Sequence, residues 1–333
     1  MGFPSVTLLI LNFNGMRYLE NCLNSVVQTD YPRLRVIVID NGSRDESAEF
    51  IRKNYKQVEL IQNQSNYGFA KAYNLVLDSI ESDYVVILNN DIEVEPYWLK
   101  QLVNHATTEG KVAAANPKML FLHDRRKVNS AGGSCDAYGV GWNRGNGEID
   151  NHQYDGVEEV FYSNGAAMLI NKSVWHDIGS FDERYFMYGE DLDWCWRAQL
   201  KGYRILYVPE ARIYHRWKGS NGAMIQLLER HQLATIIKNY SLRSLISIVP
   251  RWLALKVLKA MWLINHGTAL DEKLAVLRAV TWNLRCLKDT WERHLLAQFG
   301  REVSDKEVRS KMYQGSFELS LWTGKIRHPI MEN

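Results

Sequence analysis

Apolar runs recur along the first half of the chain and stop abruptly at polar clusters. Val6-Thr7-Leu8-Leu9-Ile10-Leu11, Val36-Ile37-Val38-Ile39 and Tyr84-Val85-Val86-Ile87-Leu88 read as strands covered on both faces. Val58 to Ile61 and Val112 to Ala115 read as shorter strands. Between them, Tyr18 to Val27 has helical spacing, with Leu19, Cys22, Leu23, Val26 and Val27 on one face. Asp45 to Asn54, capped by Ser43 or Asp45, and Phe69 to Ser79 are further helices, and another starts near Pro96. Strand and helix alternate, which predicts an α/β fold with a parallel sheet.

The polar clusters carry the first chemistry. They are Asn12-Phe13-Asn14-Gly15, Asp40-Asn41-Gly42-Ser43 and Asn89-Asn90-Asp91. Ligands of open α/β sheets bind just beyond the carboxyl ends of strands. A carboxylate flanked by amides suits Mg²⁺ or Mn²⁺ bound together with phosphates. The plainer reading of Asn89 to Asp91 is a cap for the helix near Pro96.

Beyond Ala115 the pattern changes. His123 to Glu158 is rich in Gly, Asn and Asp and is expected to be a lid or binding loop. Phe161 to Ile170 resumes as a strand, with small residues near its start that would let a ligand approach the backbone. Glu190-Asp191-Leu192-Asp193 then places three carboxylates at the start of a helix running to about Lys201. A favourable helix dipole accounts for acids there. It does not account for their setting among Tyr188, Trp194 and Trp196, which would desolvate them and tune them for proton transfer. Arg204 to Val208 reads as a strand ended by Pro209, followed by Ile213-Tyr214-His215-Arg216-Trp217.

Composition narrows the class. The chain has 333 residues, 46% hydrophobic and 23% charged, enough for one large domain or two smaller ones. A formal net charge of +2 gives no sign of a nucleic-acid partner. Cys22, Cys135, Cys195 and Cys286 are far apart and read as reduced thiols of a cytosolic protein. No secretory leader and no run of eighteen apolar residues is expected. A dinucleotide-binding dehydrogenase needs GxGxxG after the first strand, where only Gly15 stands.

Six clusters in order, each after an expected strand or before an expected helix, resemble glycosyltransferase family 2. They are Leu11-Asn12-Phe13-Asn14-Gly15, Asp40-Asn41-Gly42-Ser43, Asn66-Tyr67-Gly68-Phe69-Ala70, Asn89-Asn90-Asp91, Gly189-Glu190-Asp191 and Tyr214-His215. The chain looks most like the family's rhamnosyltransferase-type branch. The resemblance implies the GT-A fold and inverting transfer from a nucleotide-diphospho-sugar, and covers about residues 5 to 220. It implies that Asp40, Asn12 and Asn14 frame a uracil or thymine base and its ribose. Asn66, Gly68, Asn89 and Asn90 would complete the donor pocket of a UDP- or dTDP-sugar. Asn89 departs from the commoner Asp of the family's DxD motif. Asp91 and His215 would be the metal ligands for Mn²⁺ or Mg²⁺. Tyr73 stands where family members often carry Arg or Asn, which puts a diphosphate contact there in doubt. Asp191 would be the general base, with Glu190 or Asp193 orienting the acceptor or supporting the helix start. Met187, Tyr188 and Trp194 would offer apolar faces to a sugar or belong to the core, and Trp217 would help shape the acceptor side.

Residues 1–224 are expected to be the catalytic domain and 225–333 a helical extension. Arg230 to Leu270 holds no Asp or Glu, and Trp252 to Ile264 reads as a helix with Lys256 and Lys259 on a narrow polar stripe. Trp252, Leu255, Leu258 and Trp262 would share the apolar side. Residues 230–270 would then dock on an anionic, cytosolic membrane surface, lysines toward the headgroups, presenting the enzyme to a glycan or polyprenyl-linked glycan acceptor. Packing on the catalytic domain or on a second copy of the chain is the alternative. Two other functions compete. A nucleotidyltransferase would need a basic Gly-rich loop where Phe13-Asn14-Gly15-Met16 stands. A non-catalytic nucleotide-sugar scaffold would not need both Asp91 and Asp191.

Overall fold

The computed structural model describes residues 2–217, 222–265 and 270–323. Its elements in chain order are β1 (Val6–Asn12), α1 (Met16–Val26), β2 (Leu34–Asp40), α2 (Ser47–Asn54), β3 (Glu59–Gln62), α3 (Gly68–Leu77), β4 (Tyr84–Asn89), β5 (Ile92–Val94), α4 (Trp98–Thr108) and β6 (Val112–Phe121). Then follow β7 (Val128–Ser130), β8 (Gly133–Cys135), β9 (Gly141–Asn143), β10 (Glu158–Glu159), β11 (Ala167–Asn171), α5 (Lys172–Ile178), α6 (Glu190–Leu200) and β12 (Arg204–His215). The last part is helical: α7 (Gly222–Asn239), α8 (Leu242–Asn265), α9 (Leu270–Arg285), α10 (Leu287–Gln298), α11 (Asp305–Ser310) and α12 (Phe317–Trp322).

Two compact units result. The first comprises residues 1–133, 143–198 and 203–217, and the second 134–142, 199–202 and 218–333. The first is built on a sheet of order β10-β12-β6-β11-β4-β1-β2-β3. β1, β2, β3 and β4 run parallel, while β11 is antiparallel to β4 and to β6. Alternate strand residues serve opposite faces. Leu8, Ile10, Val38, Val86 and Leu88 join the core with Leu19, Cys22, Leu23 and Val26 of α1 and Trp98, Leu99 and Leu102 of α4. On the other parity, Leu9, Ile37, Ile39, Val85 and Ile87 are equally buried. Coverage of both faces is why these strands read as continuous apolar runs.

Three expectations change. The Gly-rich stretch, expected to be a loop, contains β7, β8 and β9, and β10 begins at its last residue. Asn89 to Asp91 do not cap a helix, since β5 intervenes before α4. Pro209 does not end its strand. β12 runs on to His215 past a register shift between Val208 and Arg212, and such an irregularity accommodates a residue without an N–H.

In the second unit α7 packs on α9 and α10. Here the expected orientation of the basic helix is reversed. Lys256 is 1% exposed, and its Nζ lies 2.8 Å from Glu229 and 2.9 Å from Glu318. Lys259 reaches the same two carboxylates. Burial alone would raise the Glu229 carboxyl, and the two ammonium groups more than reverse this, holding it below its usual range. Trp252 is buried as well, whereas Ile246, Leu253, Val257, Leu258 and Met261 are exposed. The Trp262 side chain lies outside the described residues. No helix among the described residues is long and apolar enough to cross a membrane.

Candidate active site at the strand ends

Strand register assembles the first part of the site. Asn12 pairs in register with Asp40, and Leu11 with Asn89, so the ends of β1, β2 and β4 are level. The Asn12 amide sits between them. Its Nδ2 donates to Asp40 Oδ1 at 3.0 Å and to Ser43 Oγ at 3.2 Å, and its Oδ1 accepts from Asn90 Nδ2 at 2.7 Å. A Cβ at Gly15 would collide with the amides of Asn12 and Asn90, so only glycine lets the chain pass this close. Asn14, at φ 49°, receives Arg44 N–H on Oδ1 at 2.8 Å, and its own N–H donates to Ser43 Oγ. Asn12 and Asp40 are buried, and Asn14 is exposed.

A second amide network orders the next turn. Asn41 donates to Asn66 Oδ1 and to the Gly68 carbonyl, both at 3.0 Å, and accepts from Tyr67 N–H. Asn66 Oδ1 also receives Gly68 N–H at 2.9 Å. Gly68, at φ 77°, has no room for a side chain against the Phe186 carbonyl, which accepts from Phe69 N–H at 2.6 Å. The turn before α3 is thereby fastened to the loop that leads into α6.

The acids at the start of α6 differ in environment. Asp191 Oδ2 accepts from Gly165 N–H and Oδ1 from Leu192 N–H, both at 2.8 Å. Burial pushes its carboxyl up, against the lowering pull of those amides. Glu190 is 3% exposed, and its Oε2 has no hydrogen-bond partner among the described residues. Burial, then the neighbouring Asp191 charge, pushes Glu190 well above the carboxylate range. Asp191 is thus the acid whose anion two backbone N–H groups support, and Glu190 the one whose anion burial and its neighbour disfavour. Asp193 is wholly buried and pairs with Arg197 at 3.2 Å, a structural role. Tyr188, at φ 71° and half-buried, has its phenol raised by burial first and then by Glu190 and Asp91.

Trp194 is not at the site surface. It is 0% exposed, its Nε1 donates to the Gly179 carbonyl at 2.9 Å, and its ring lies 5.8 Å from that of Trp175. The acceptor role expected of it is withdrawn: α6 turns this ring into the core. Met187 and Trp217 are half-buried, and the Trp217 ring lies 6.0 Å from that of His215.

β5 and β12 bring together the two residues expected to hold a cation. His215 pairs antiparallel with Ile92, and Arg216 N–H donates to the Asp91 carbonyl, which brings the two chain segments side by side. His215 Nε2 lies 3.4 Å from Asp91 Oδ1, while Nδ1 lies 2.9 Å from Asn129 Oδ1. No group of three or more His, Cys, Asp or Glu side chains suited to a metal occurs among the described residues. A nitrogen and a carboxylate oxygen facing each other fit a cation that takes its other ligands from a diphosphate and water.

Two further residues were not foreseen. Asn129 lies in the Gly-rich stretch, which has no periodicity to mark it. Gly165 connects the site's halves: Asn89 N–H donates to the Ala166 carbonyl at 2.8 Å, and the adjacent Gly165 N–H holds Asp191. The small residues at that strand start were the available signal.

The level ends of β1, β2 and β4 gather polar side chains where open α/β sheets bind their ligands. A profile described as "Glycosyltransferase like family 2" matches residues 4–234, and the chain belongs to that family. It is 26% identical over 227 residues to the N-acetylglucosaminyl-diphospho-decaprenol L-rhamnosyltransferase of Mycobacterium tuberculosis, covering 62% of this chain and 74% of the relative. Among solved structures, Staphylococcus aureus TarS in complex with UDP-GlcNAc superposes with a TM-score of 0.58 at 16% identity, covering 93% of both chains. The mannosyltransferase PcManGT of Pyrobaculum calidifontis, in complex with GDP-Man and Mn2+, gives 0.53 at 16% identity, covering 90% of this chain and 87% of the other. The fold is GT-A, and the protein is a glycosyltransferase.

Proposed function

We propose that this chain is an inverting, cation-dependent glycosyltransferase that moves rhamnose from a UDP- or dTDP-linked donor to a hydroxyl of a lipid-linked glycan. The observation that carries the reading is the link Asn89–Ala166–Gly165–Asp191. It joins a supported carboxylate to the strand end that bears Asp91. Asp40 and Asn12 would hold the base, with Asn14, Asn66, Gly68, Asn89 and Asn90 around the rest of the nucleotide. Asp91 and His215 would hold Mn²⁺ or Mg²⁺, which when bound supplies positive charge beside the leaving diphosphate. The acceptor oxygen forms a bond to the anomeric carbon from the face opposite the diphosphate, whose C–O bond breaks. Asp191 takes the hydroxyl proton. Tyr188 and Trp217 would flank the acceptor. The rhamnose and lipid-linked parts rest on likeness to the mycobacterial enzyme.

Residues 1–224 would carry this chemistry, and the helical extension from 225 would hold the enzyme at the cytosolic face of a membrane. The surface for that is the outward stripe of α8, not the lysines. Ile246, Leu253, Val257 and Met261 are exposed there beside exposed Arg243 and Arg251, and no acid occurs between Arg230 and Leu270. Apolar residues with basic flanks and no acid complement an anionic bilayer.

The test is transfer from dTDP-rhamnose and a panel of UDP-sugars to a polyprenyl-diphosphate GlcNAc acceptor, with and without Mn²⁺. The anomeric configuration of the product is read by NMR. Inverted product that needs the cation, and is lost in Asp91→Ala, is expected. Retained configuration, or full activity in Asp91→Ala, would overturn the mechanism.

A further inference from the structure

We propose that Asn129 is the positioning residue that holds His215 as its Nδ1–H tautomer, so that Nε2 presents a bare lone pair to a cation shared with Asp91. The cation half of this rests on the metal dependence proposed above. The Asn129 half stands on geometry alone.

β7 places Asn129 through its pairing with β6, where Ser130 stands opposite Met119 and Val128 opposite Leu120. β6 in turn pairs with β12, whose last residue, His215, stands opposite Phe121. Two strand pairings therefore fix the distance between Asn129 and His215. Neither side chain has freedom to drift: Asn129 is 1% exposed and His215 5%. The backbone carbonyl of Asn129 is also held, by Asn146 Nδ2 at 2.9 Å.

The orientation of the carboxamide is informative. With Oδ1 toward the imidazole, 2.9 Å from Nδ1, the oxygen can only accept, so Nδ1 must carry the proton. Asn129 Nδ2 is then buried without a hydrogen-bond partner among the described residues. The reversed amide would donate to Nδ1 and move the proton to Nε2, which faces Asp91 Oδ1 at 3.4 Å. That arrangement would spend the Nε2 position on a hydrogen bond. The orientation seen here is compatible with a bare Nε2 toward the carboxylate, as a nitrogen ligand requires. Partners on the far nitrogen of ligating histidines commonly set ring orientation and basicity, and their loss weakens metal affinity about 10–100-fold.

The test uses the full chain labelled with ¹⁵N-histidine, with His215 assigned by its absence in His215→Gln. At about pH 8, above the ordinary imidazole value of about 6.5, long-range ¹H–¹⁵N spectra of the metal-free protein should show a protonated Nδ1 and a bare Nε2. An Nε2–H tautomer or a rapidly exchanging mixture would overturn the proposal, and this measurement needs no Asn129 variant. Free Mn²⁺ is then followed by its electron paramagnetic resonance signal, in the presence of UDP. Asn129→Leu should bind about 10–100-fold more weakly, while Asn129→Asp, which keeps the acceptor, should bind at least as tightly as the parent. Parent-like Mn²⁺ affinity in Asn129→Leu would overturn the positioning role. A parent protein that takes up no Mn²⁺ would overturn the cation half and the proposed metal dependence together, leaving the tautomer to judge Asn129.

Discussion

The strand ends of the first unit and helix α8 of the second both set polar groups against apolar runs, with opposite outcomes. At β1, β2 and β4 the apolar run is the buried part, and its polar terminus opens into a site where Asp91 keeps a quarter of its side chain exposed. On α8 the polar stripe is the buried part. Lys256 and Lys259 point inward to Glu229 and Glu318, while Leu253, Val257 and Met261 face out. In a strand covered on both faces, the position where apolar residues stop decides where the polar groups go. In a helix, the pattern defines two sides, and distant partners decide which of them is inside. Charges of the first kind are therefore available for chemistry, and those of the second are committed to holding helices together.

The largest expected effect sharpens this contrast at Asp191. Replacement by Asn keeps shape and can still accept one backbone N–H, yet cannot take a proton. Turnover should fall roughly 100-fold or more, with donor affinity nearly unchanged and a modest drop in melting temperature from the backbone N–H left without an acceptor. Because burial raises the Asp191 carboxyl, the ascending limb of the parent's pH–kcat profile should lie above the ordinary carboxylate range, rising as the base deprotonates. The variant's residual rate should lose that limb. Collapse of donor affinity with unchanged turnover of bound donor would instead make Asp191 a binding residue and break the comparison.

The legibility of the two units follows from the same difference. The ends of β1, β2 and β4 could be read because Asn12, Asp40 and Asn89 follow apolar runs without a break, and parallel register then aligns them. His215 was reached through the family resemblance rather than through the pattern, which broke at Pro209. Trp194 misled because an aromatic beside acids reads alike whether it lines a site or fills a core; its burial against Trp175 and its bond to the Gly179 carbonyl settle it. Asn129 and Gly165 act through hydrogen bonds between chain segments far apart, 86 residues in the case of Asn129 and His215. The partners that turn Lys256 inward include Glu318, 62 residues away. Local periodicity carries none of these.

A smaller effect, on stability rather than rate, is expected from Lys256→Met. The side chain's volume is nearly kept, but Glu229 and Glu318 are left sharing Lys259. Breaking a buried ion network by removing one partner costs about 3–5 kcal/mol, so the melting transition of the helical unit should fall. Lys256→Met combined with Glu318→Gln, which rebalances the charge, should recover part of the loss. The sign with pH is fixed by Glu229. A carboxyl depressed in the folded state stabilises above its unfolded value of about 4.3, and that contribution is lost as pH falls through the folded value. The parent should therefore be acid-labile below about pH 4, and a charge-balanced double variant less so. Unchanged melting in Lys256→Met would return the lysines to the surface.

The smallest change to the fold is expected on the opposite side of the same helix. Val257 is 53% exposed, so Val257→Glu removes little buried area and should alter stability within about 0.5 kcal/mol. It does place a carboxylate in the middle of the stripe formed by Leu253, Leu258 and Met261. If that stripe enters an anionic bilayer, the new charge must be desolvated among apolar side chains and repelled by the headgroups. Sedimentation of the intact protein with phosphatidylglycerol vesicles should then drop sharply, while activity on a soluble acceptor persists. Lys259→Gln should sediment like the parent if it folds, because Lys259 already belongs to Glu229 and Glu318. Equal vesicle binding by the parent and Val257→Glu would mean that the outward face of α8 meets something other than lipid. A parent that self-associates in solution, and a Val257→Glu variant that does not, would identify that partner as a second copy of the chain.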